Sequence, residues 1–175
     1  MSSAAHVLDA EAVRHALNDV HDPEMPIGLD DLGVIDGVEL EPGGAVRVTL
    51  LPTFAGCPAV ELIRTSVEAR VRALGVRKVA VSWSFAGTWS PERVSPAGIA
   101  ALREHGISPG ARRGTSAAAR ESCPYCGSPD VVKVSGFGGS LCRATFRCGA
   151  CRDTFESLKP SGIAPPAAAG IISLL

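Results

Sequence analysis

Leu50-Leu51-Pro52-Thr53-Phe54-Ala55-Gly56-Cys57-Pro58 is a strand-like apolar run that breaks into a turn, with a cysteine at the edge of the helix that follows. Pro58 suits the first helical position, because its φ is already helical and its missing N–H is not needed there. Cys57 then falls at the N-cap. Unpaired backbone N–H groups and the positive end of the helix dipole there favour thiolate over thiol. A lone cysteine in such a turn has a second explanation, a small buried residue closing a strand-to-helix connection.

Upstream, Val34-Ile35-Asp36-Gly37-Val38-Glu39-Leu40 and Ala45-Val46-Arg47-Val48-Thr49-Leu50 alternate as strands do, with Pro42-Gly43-Gly44 as a hairpin turn. Downstream, Val60, Ile63, Val67, Val71 and Leu74 mark one face of a helix that Gly75 closes, and Lys78–Trp83 alternates as a third strand. Asp9 can cap an earlier helix with apolar positions Val13, Ala16, Leu17 and Val20, ending by Asp22-Pro23. The order helix, strand, strand, helix, strand predicts an α+β domain with helices on one face of a sheet. A short helix from Pro96 to His105 follows, and Trp83 and Trp89 read as packing and cover.

Charge places a boundary near residue 108. Residues 1–107 carry nine Lys/Arg against fourteen Asp/Glu, whereas residues 108–175 carry eight against four. The expected organisation is a first domain over 6–107, a linker over 108–121, a second unit over 122–160 and a flexible tail over 161–175. The 175 residues, 46% hydrophobic and 20% charged, describe a soluble globular protein. No secretory signal pattern and no membrane-length apolar run is visible, so a cytoplasmic, reducing location is expected. There, six cysteines read as metal ligands or reactive thiols rather than disulfides.

Five of the six lie between 123 and 151. Cys123-Pro124-Tyr125-Cys126 and Cys148-Gly149-Ala150-Cys151 are two C-x-x-C turns separated by twenty-one residues. Two such turns brought together give the tetrahedral thiolate cage that zinc accepts. Val131–Val134 and Leu141–Arg147, joined through Phe137-Gly138-Gly139, read as strands between them, so the second unit is an all-β zinc ribbon with Cys123, Cys126, Cys148 and Cys151 as ligands. A segment this small has too little core to fold unaided, and the metal would supply much of its folding energy. An iron–sulfur cluster is the rival occupant. Cys142 reads as a core residue of the ribbon, or as a replacement for one ligand.

No catalytic constellation emerges elsewhere. His6, His15, His21 and His105 sit at helix positions or ends. No Gly-rich phosphate loop is present, and the modest positive balance of the second unit, with few aromatics, argues against nucleic acid as a partner. The expectation is a non-enzymatic protein.

Asp22-Pro23-Glu24-Met25-Pro26, Asp31-Leu32-Gly33-Val34-Ile35 and Thr53-Phe54-Ala55-Gly56-Cys57-Pro58, in that order, resemble the signature segments of the SufT-like iron–sulfur assembly domain. Cys123–Ser128, Phe137-Gly138, Leu141–Ala144 and Cys148–Arg152 resemble the ribbon of the PaaD family, phenylacetate-degradation proteins encoded with the multicomponent phenylacetyl-CoA epoxidase. The resemblance covers about residues 8 to 159. It implies an accessory maturation factor for iron–sulfur or di-iron centres of that epoxidase. Its partners would be the iron–sulfur reductase and the di-iron oxygenase components. It also implies that Cys57 is the functional thiol, able to hold iron or a cluster transiently. Asp22, Glu24, Thr53, Gly56 and Pro58 form its supporting turn, and zinc sits in the ribbon. A structural subunit of the epoxidase and a ribbon-based interaction module are the alternatives. An open sheet edge allows a homo-oligomer.

Overall fold

The structure, a computed structural model, describes residues 8–111 and 121–159. His6, most of the expected linker and the tail lie outside the described residues.

Helix α1 (Ala10–Leu17) is capped by Asp9, whose carboxylate accepts the Ala12 N–H at 2.7 Å. Val13 and Leu17 face inward. The helix stops at Leu17, but Val20 remains buried in the turn beyond it. Strands β1 (Ile35–Glu41) and β2 (Ala45–Leu50) pair antiparallel across the expected hairpin. A parallel partner needs a crossover. Helix α2 (Val60–Ala73) supplies it and delivers β3 (Val79–Trp83) to the far side of β2, in the sheet order β1-β2-β3. Val46, Val48 and Leu50 point into the layer that Ile63, Val67 and Val71 of α2 cover. Helix α1 contacts both β1 and α2, so the two helices share one sheet face.

A turn at Pro91–Arg93 leads into α3 (Pro96–Glu104), capped by the Ser95 hydroxyl, which accepts the Gly98 N–H at 2.9 Å. The Asp31-Leu32-Gly33 segment proves to be a clasp. The Asp31 carboxylate accepts from Asn18 at 2.7 Å and from the Ser95 hydroxyl, and its carbonyl accepts the Ser95 N–H at 2.9 Å. One aspartate thereby ties the end of α1 to the start of α3. Trp89, 1% exposed, donates its indole N–H to the Leu32 carbonyl at 2.9 Å and completes the cover.

The second sheet has the order β4 (Ile107–Ser108), β7 (Thr154–Leu158), β6 (Arg143–Cys148), β5 (Val131–Ser135). Strands β5 (Val131–Ser135) and β6 (Arg143–Cys148) are the expected ribbon pair. Sequence reading did not supply β7 (Thr154–Leu158) or β4 (Ile107–Ser108). Strand β4 pairs parallel with β7, so Ile107 and Ser108, read as the end of one domain and the start of a linker, are an edge of the ribbon sheet. Leu158 and Cys142 pack into the core of the first domain, and the smaller ribbon core holds Cys123, Cys148 and Phe155. Tyr125 closes on the turn after α3, where Gly106 has φ +69 and a Cβ would stand 2.2 Å from the tyrosine oxygen. The two units share a core rather than hanging on a tether.

Candidate functional site

The Cys57 turn forms where expected, but not as an N-cap. The Cys57 N–H donates back to the Phe54 carbonyl at 3.1 Å, Pro58 and Ala59 make a further turn, and the helix starts at Val60 with Ala59 as its cap. Cys57 is half-buried. Burial pushes its thiol up, and against the lowering Ala59 N–H the charges of Asp22, Glu24 and Cys142 push the same way. The expectation of a thiolate favoured by a helix start is corrected: a recessed thiol among carboxylates keeps its proton.

Asp22 is 6% exposed, and its carboxylate accepts the Glu24 N–H at 2.8 Å in a local turn. Burial raises its pKa, and the lowering Glu24 N–H does not offset this; Arg143 also lowers it. Glu24 is half-buried beside it. A cavity of ≈ 10 Å³ is lined by Asp22, Val34, Pro52, Thr53, Cys57, Val60, Ile63 and Trp83. Thr53 is buried, whereas Gly56 and Pro58 lie on the outer side of the turn, exposed. A Cβ on Gly56 would stand 2.9 Å from the Phe54 ring, so glycine there is steric. Of the predicted set, Asp22, Thr53 and Cys57 line the cavity together, Glu24 stands within electrostatic reach, and Gly56 and Pro58 shape the turn. Trp83, expected only to pack, lines the cavity with an indole N–H that is buried and unpaired among the described residues.

Cys142 lies just before β6, is 5% exposed, and is not a core residue of the ribbon. Its sulfur contacts the Ser140 hydroxyl at 3.0 Å, and its carbonyl accepts the Lys159 N–H at 2.9 Å. Burial raises its pKa, the Ser140 hydroxyl opposes this, and Asp22 and Glu24 reinforce it. The ribbon therefore contributes a buried thiol to the core of the first domain. The Lys159 ammonium sits 5.5 Å from the Phe54 ring centroid and 5.0 Å from that of Phe137, fastening the ribbon over the Cys57 turn.

At the other end of the ribbon, the sulfurs of Cys123, Cys126, Cys148 and Cys151 all lie within 4.8 Å of one another. Cys123 is 3.6 Å from Cys151, and Cys126 is 3.6 Å from Cys148. A tetrahedron with Zn–S arms of about 2.3 Å has edges of about 3.8 Å, so the sulfurs already occupy a zinc-sized cage. The two turns share one geometry. The residue after each second cysteine, Gly127 or Arg152, has positive φ, 73 and 70 respectively. The Cys151 N–H points to the Cys148 sulfur at 3.5 Å. A closed thiolate set of this kind fits structural zinc, which would pin β5, β6 and β7 together.

The fold and both cysteine sites define a class: an iron–sulfur cluster assembly domain continued into a zinc β ribbon. The sequence pattern of the "Iron-sulfur cluster assembly protein" family matches residues 10–83, and that of the "PaaD zinc beta ribbon domain" matches residues 108–159. An Escherichia coli (strain K12) protein, provisionally named as one of the subunits of 1,2-phenylacetyl-CoA epoxidase, is 32% identical over 147 residues, covering 82% of this chain and 88% of that protein. The chain belongs to the PaaD family. A Porphyromonas gingivalis protein named "Fe-S protein maturation auxiliary factor" is 34% identical over 86 residues, 49% of this chain and 82% of its own length. A crystal structure of a domain of unknown function (DUF59) from Bacillus anthracis, 25% identical, covers 53% of this chain and 90% of that one with a TM-score of 0.50. The β1-β2-β3 domain is thus a known fold. No helix among the described residues is long and apolar enough to cross a membrane.

Proposed function

We propose that this chain is an accessory maturation factor for the iron–sulfur or di-iron centres of a phenylacetyl-CoA epoxidase system, with Cys57 as its functional thiol. The observation that carries this is the cavity that sets Cys57 beside Asp22 and Thr53, inside the part of the chain matched to the iron–sulfur cluster assembly family. A half-buried thiol with a carboxylate beside it offers a cation a mixed sulfur and oxygen environment. The iron or cluster is cargo, and the ribbon zinc is the structural metal. The relative that spans most of this chain carries an epoxidase subunit name, which supports the epoxidase as the recipient system. The partners are then its iron–sulfur reductase and di-iron oxygenase components.

Cys57→Ser is expected to leave the fold and the ribbon zinc intact while lowering cluster occupancy of the reductase in cells. Full occupancy with the variant would overturn the proposal. The same relative's name favours a second reading, a structural component of the epoxidase. Reconstitution from components already loaded with metal separates the two. A maturation factor is dispensable there, whereas a structural subunit is required in fixed stoichiometry.

A further inference from the structure

Strand β5 is an outer strand of the second sheet: it pairs with β6 on one side, and among the described residues no strand lies on the other. That free edge carries backbone N–H and C=O groups open to pairing, and its Val132 and Val134 are 65% and 63% exposed. Val132 stands opposite Arg147 in the β5–β6 ladder, and the two border an open cleft of ≈ 300 Å³ completed by Cys148, Gly149 and Arg152. Neither Arg147 nor Arg152 is held in an ion pair among the described residues, whereas Arg143, also on β6, is bound to Glu156 at 2.7 Å. Arg152 keeps a left-handed backbone, φ 70, at the position that Gly127 fills in the matching turn. Glycine there would be free of strain, so the strain is kept where an arginine side chain borders the cleft.

We infer that this edge of the ribbon is a docking surface for an acidic, extended segment of a partner protein, which lies along β5 and sets a carboxylate in the cleft lined by Arg147 and Arg152. The inference is independent of Cys57. Charge selects the occupant: two guanidiniums offer a carboxylate charge-assisted donors, and Asp130, whose carboxylate stands against Gly149, makes an ion pair with neither. A strand added beside β5 lies two strand spacings, about 10 Å, from β6. A glutamate placed opposite Val132 therefore lays its stem on that valine and meets the Arg147 side chain with its carboxylate. A second copy of the chain is a poor occupant. Two β5 edges would bring Lys133 and Arg147 of one copy against the same charges of the other, and the register shift between Lys133 and Ser135 shortens the regular edge. The acidic strand β1 of a second copy has its carboxylates in use, since Asp36 is bound to Arg93 at 3.0 Å and Glu39 and Glu41 both lie on Arg47. Cys148 belongs to the four-sulfur cage and also lines the cleft, so cage and cleft share a wall.

The test uses the full chain with its ribbon zinc in place and a fluorescein-labelled octapeptide, blocked at both ends, that alternates glutamate with valine and threonine. Its lysine-for-glutamate counterpart is the control. Fluorescence anisotropy should show binding of the acidic peptide that weakens as salt rises, and none of the lysine peptide up to about 1 mM. Arg147→Gln and Arg152→Gly should each weaken binding by at least about tenfold, with zinc still at one per chain and far-UV circular dichroism unchanged. Arg152→Gly relieves backbone strain, so its loss of binding is not a loss of fold. In the native chain, bound peptide should slow amide hydrogen exchange within β5. Native-like binding by either variant, or no binding of the acidic peptide up to about 1 mM, would overturn the inference. So would equal binding of the lysine peptide, or slowed exchange confined to residues outside β5. Displacement of the peptide by inorganic phosphate at matching concentration would make the cleft a small-anion site and refute the docking surface. Self-association of the native chain in sedimentation, abolished in both variants, would assign the edge to a second copy and refute it too. If either variant loses its zinc, the exchange result on the native chain decides.

Discussion

Leu158→Ala tests whether the ribbon and the first domain melt as one body. Leu158 is the last residue of β7, pairs with Arg143 across the ribbon, and is 2% exposed within the core of the first domain. Truncating a buried leucine costs about 2–5 kcal/mol, through lost transfer energy and the cavity left behind. At about 3 kcal/mol, and about 2–4 °C per kcal/mol for a protein of this size, the melting temperature falls by roughly 6–12 °C. The informative quantity is which signals move together. Far-UV circular dichroism is dominated by the helices of the first domain, and release of zinc to a chromogenic chelator reports the ribbon. In one cooperative body the two curves coincide in the native protein and shift by the same amount in the variant. Val132→Ala, on an exposed edge-strand residue of the ribbon, is the control and should change stability by about 0.5 kcal/mol or less.

Zinc release that keeps its native midpoint while the helical signal shifts, or the reverse, would refute the single body. Chelating the zinc gives the complementary perturbation. Loss of the cage frees β6 and β7, withdraws Cys142 and Leu158 from the shared core, and is expected to lower the stability of the helical domain as well. A domain that melts at its native temperature without zinc would count equally against the coupling.

Two further substitutions test local physics. The raised pKa of Asp22 means that the folded chain holds this proton more tightly than the unfolded chain. Its contribution to stability is therefore complete below the unfolded value of about 3.9 and is lost as pH rises through the folded value. Asp22→Asn, which keeps an oxygen for the Glu24 N–H, should be more stable than the native protein at pH 7, with the gap closing as pH falls toward about 4; the alkylation profile of Cys57 should also move to lower pH. Unchanged profiles would show that the carboxylate does not bear on the thiol. Arg152 occupies a left-handed conformation that Gly127 fills in the matching turn. Arg152→Gly should raise stability by about 1 kcal/mol in zinc-loaded protein, read by thermal unfolding.

The elements were legible wherever periodicity or a cap was strong. The Asp9 cap, the β1–β2 hairpin, the apolar face of α2 and both C-x-x-C turns could be placed from residues alone, because each depends on neighbours in sequence. What escaped depends on long-range pairing. Thr154–Leu158 alternates over only five residues, and Ile107–Ser108 is strand solely because β7 lies beside it. The Asp31 clasp joins residues 64 positions apart, which no local pattern records. The Cys57 environment went wrong for a related reason. Pro58 as a first helical residue put the cysteine at the cap, whereas its proton affinity is set first by burial and then by charges from the turn at 22–24 and from the ribbon.

That environment bears on how long the site can keep a metal. A thiol must lose its proton to bind, so each pKa unit above ambient pH costs about tenfold in apparent affinity per sulfur. Cys57 and Cys142 are both raised, each chiefly by burial and further by the same two carboxylates. The ribbon cage starts from a different position. The Cys151 N–H does most to bring Cys148 down to about 7, and although Cys151 is pushed up to about 12 among its neighbouring sulfurs, all four sulfurs are already gathered to tetrahedral spacing. Four preorganised sulfurs hold their ion without rearrangement, whereas a single recessed thiol such as Cys57 must first lose its proton. On the proposed reading the first arrangement retains its metal and the second gives it up to an acceptor of higher affinity, which is the property a carrier needs and a structural site must avoid.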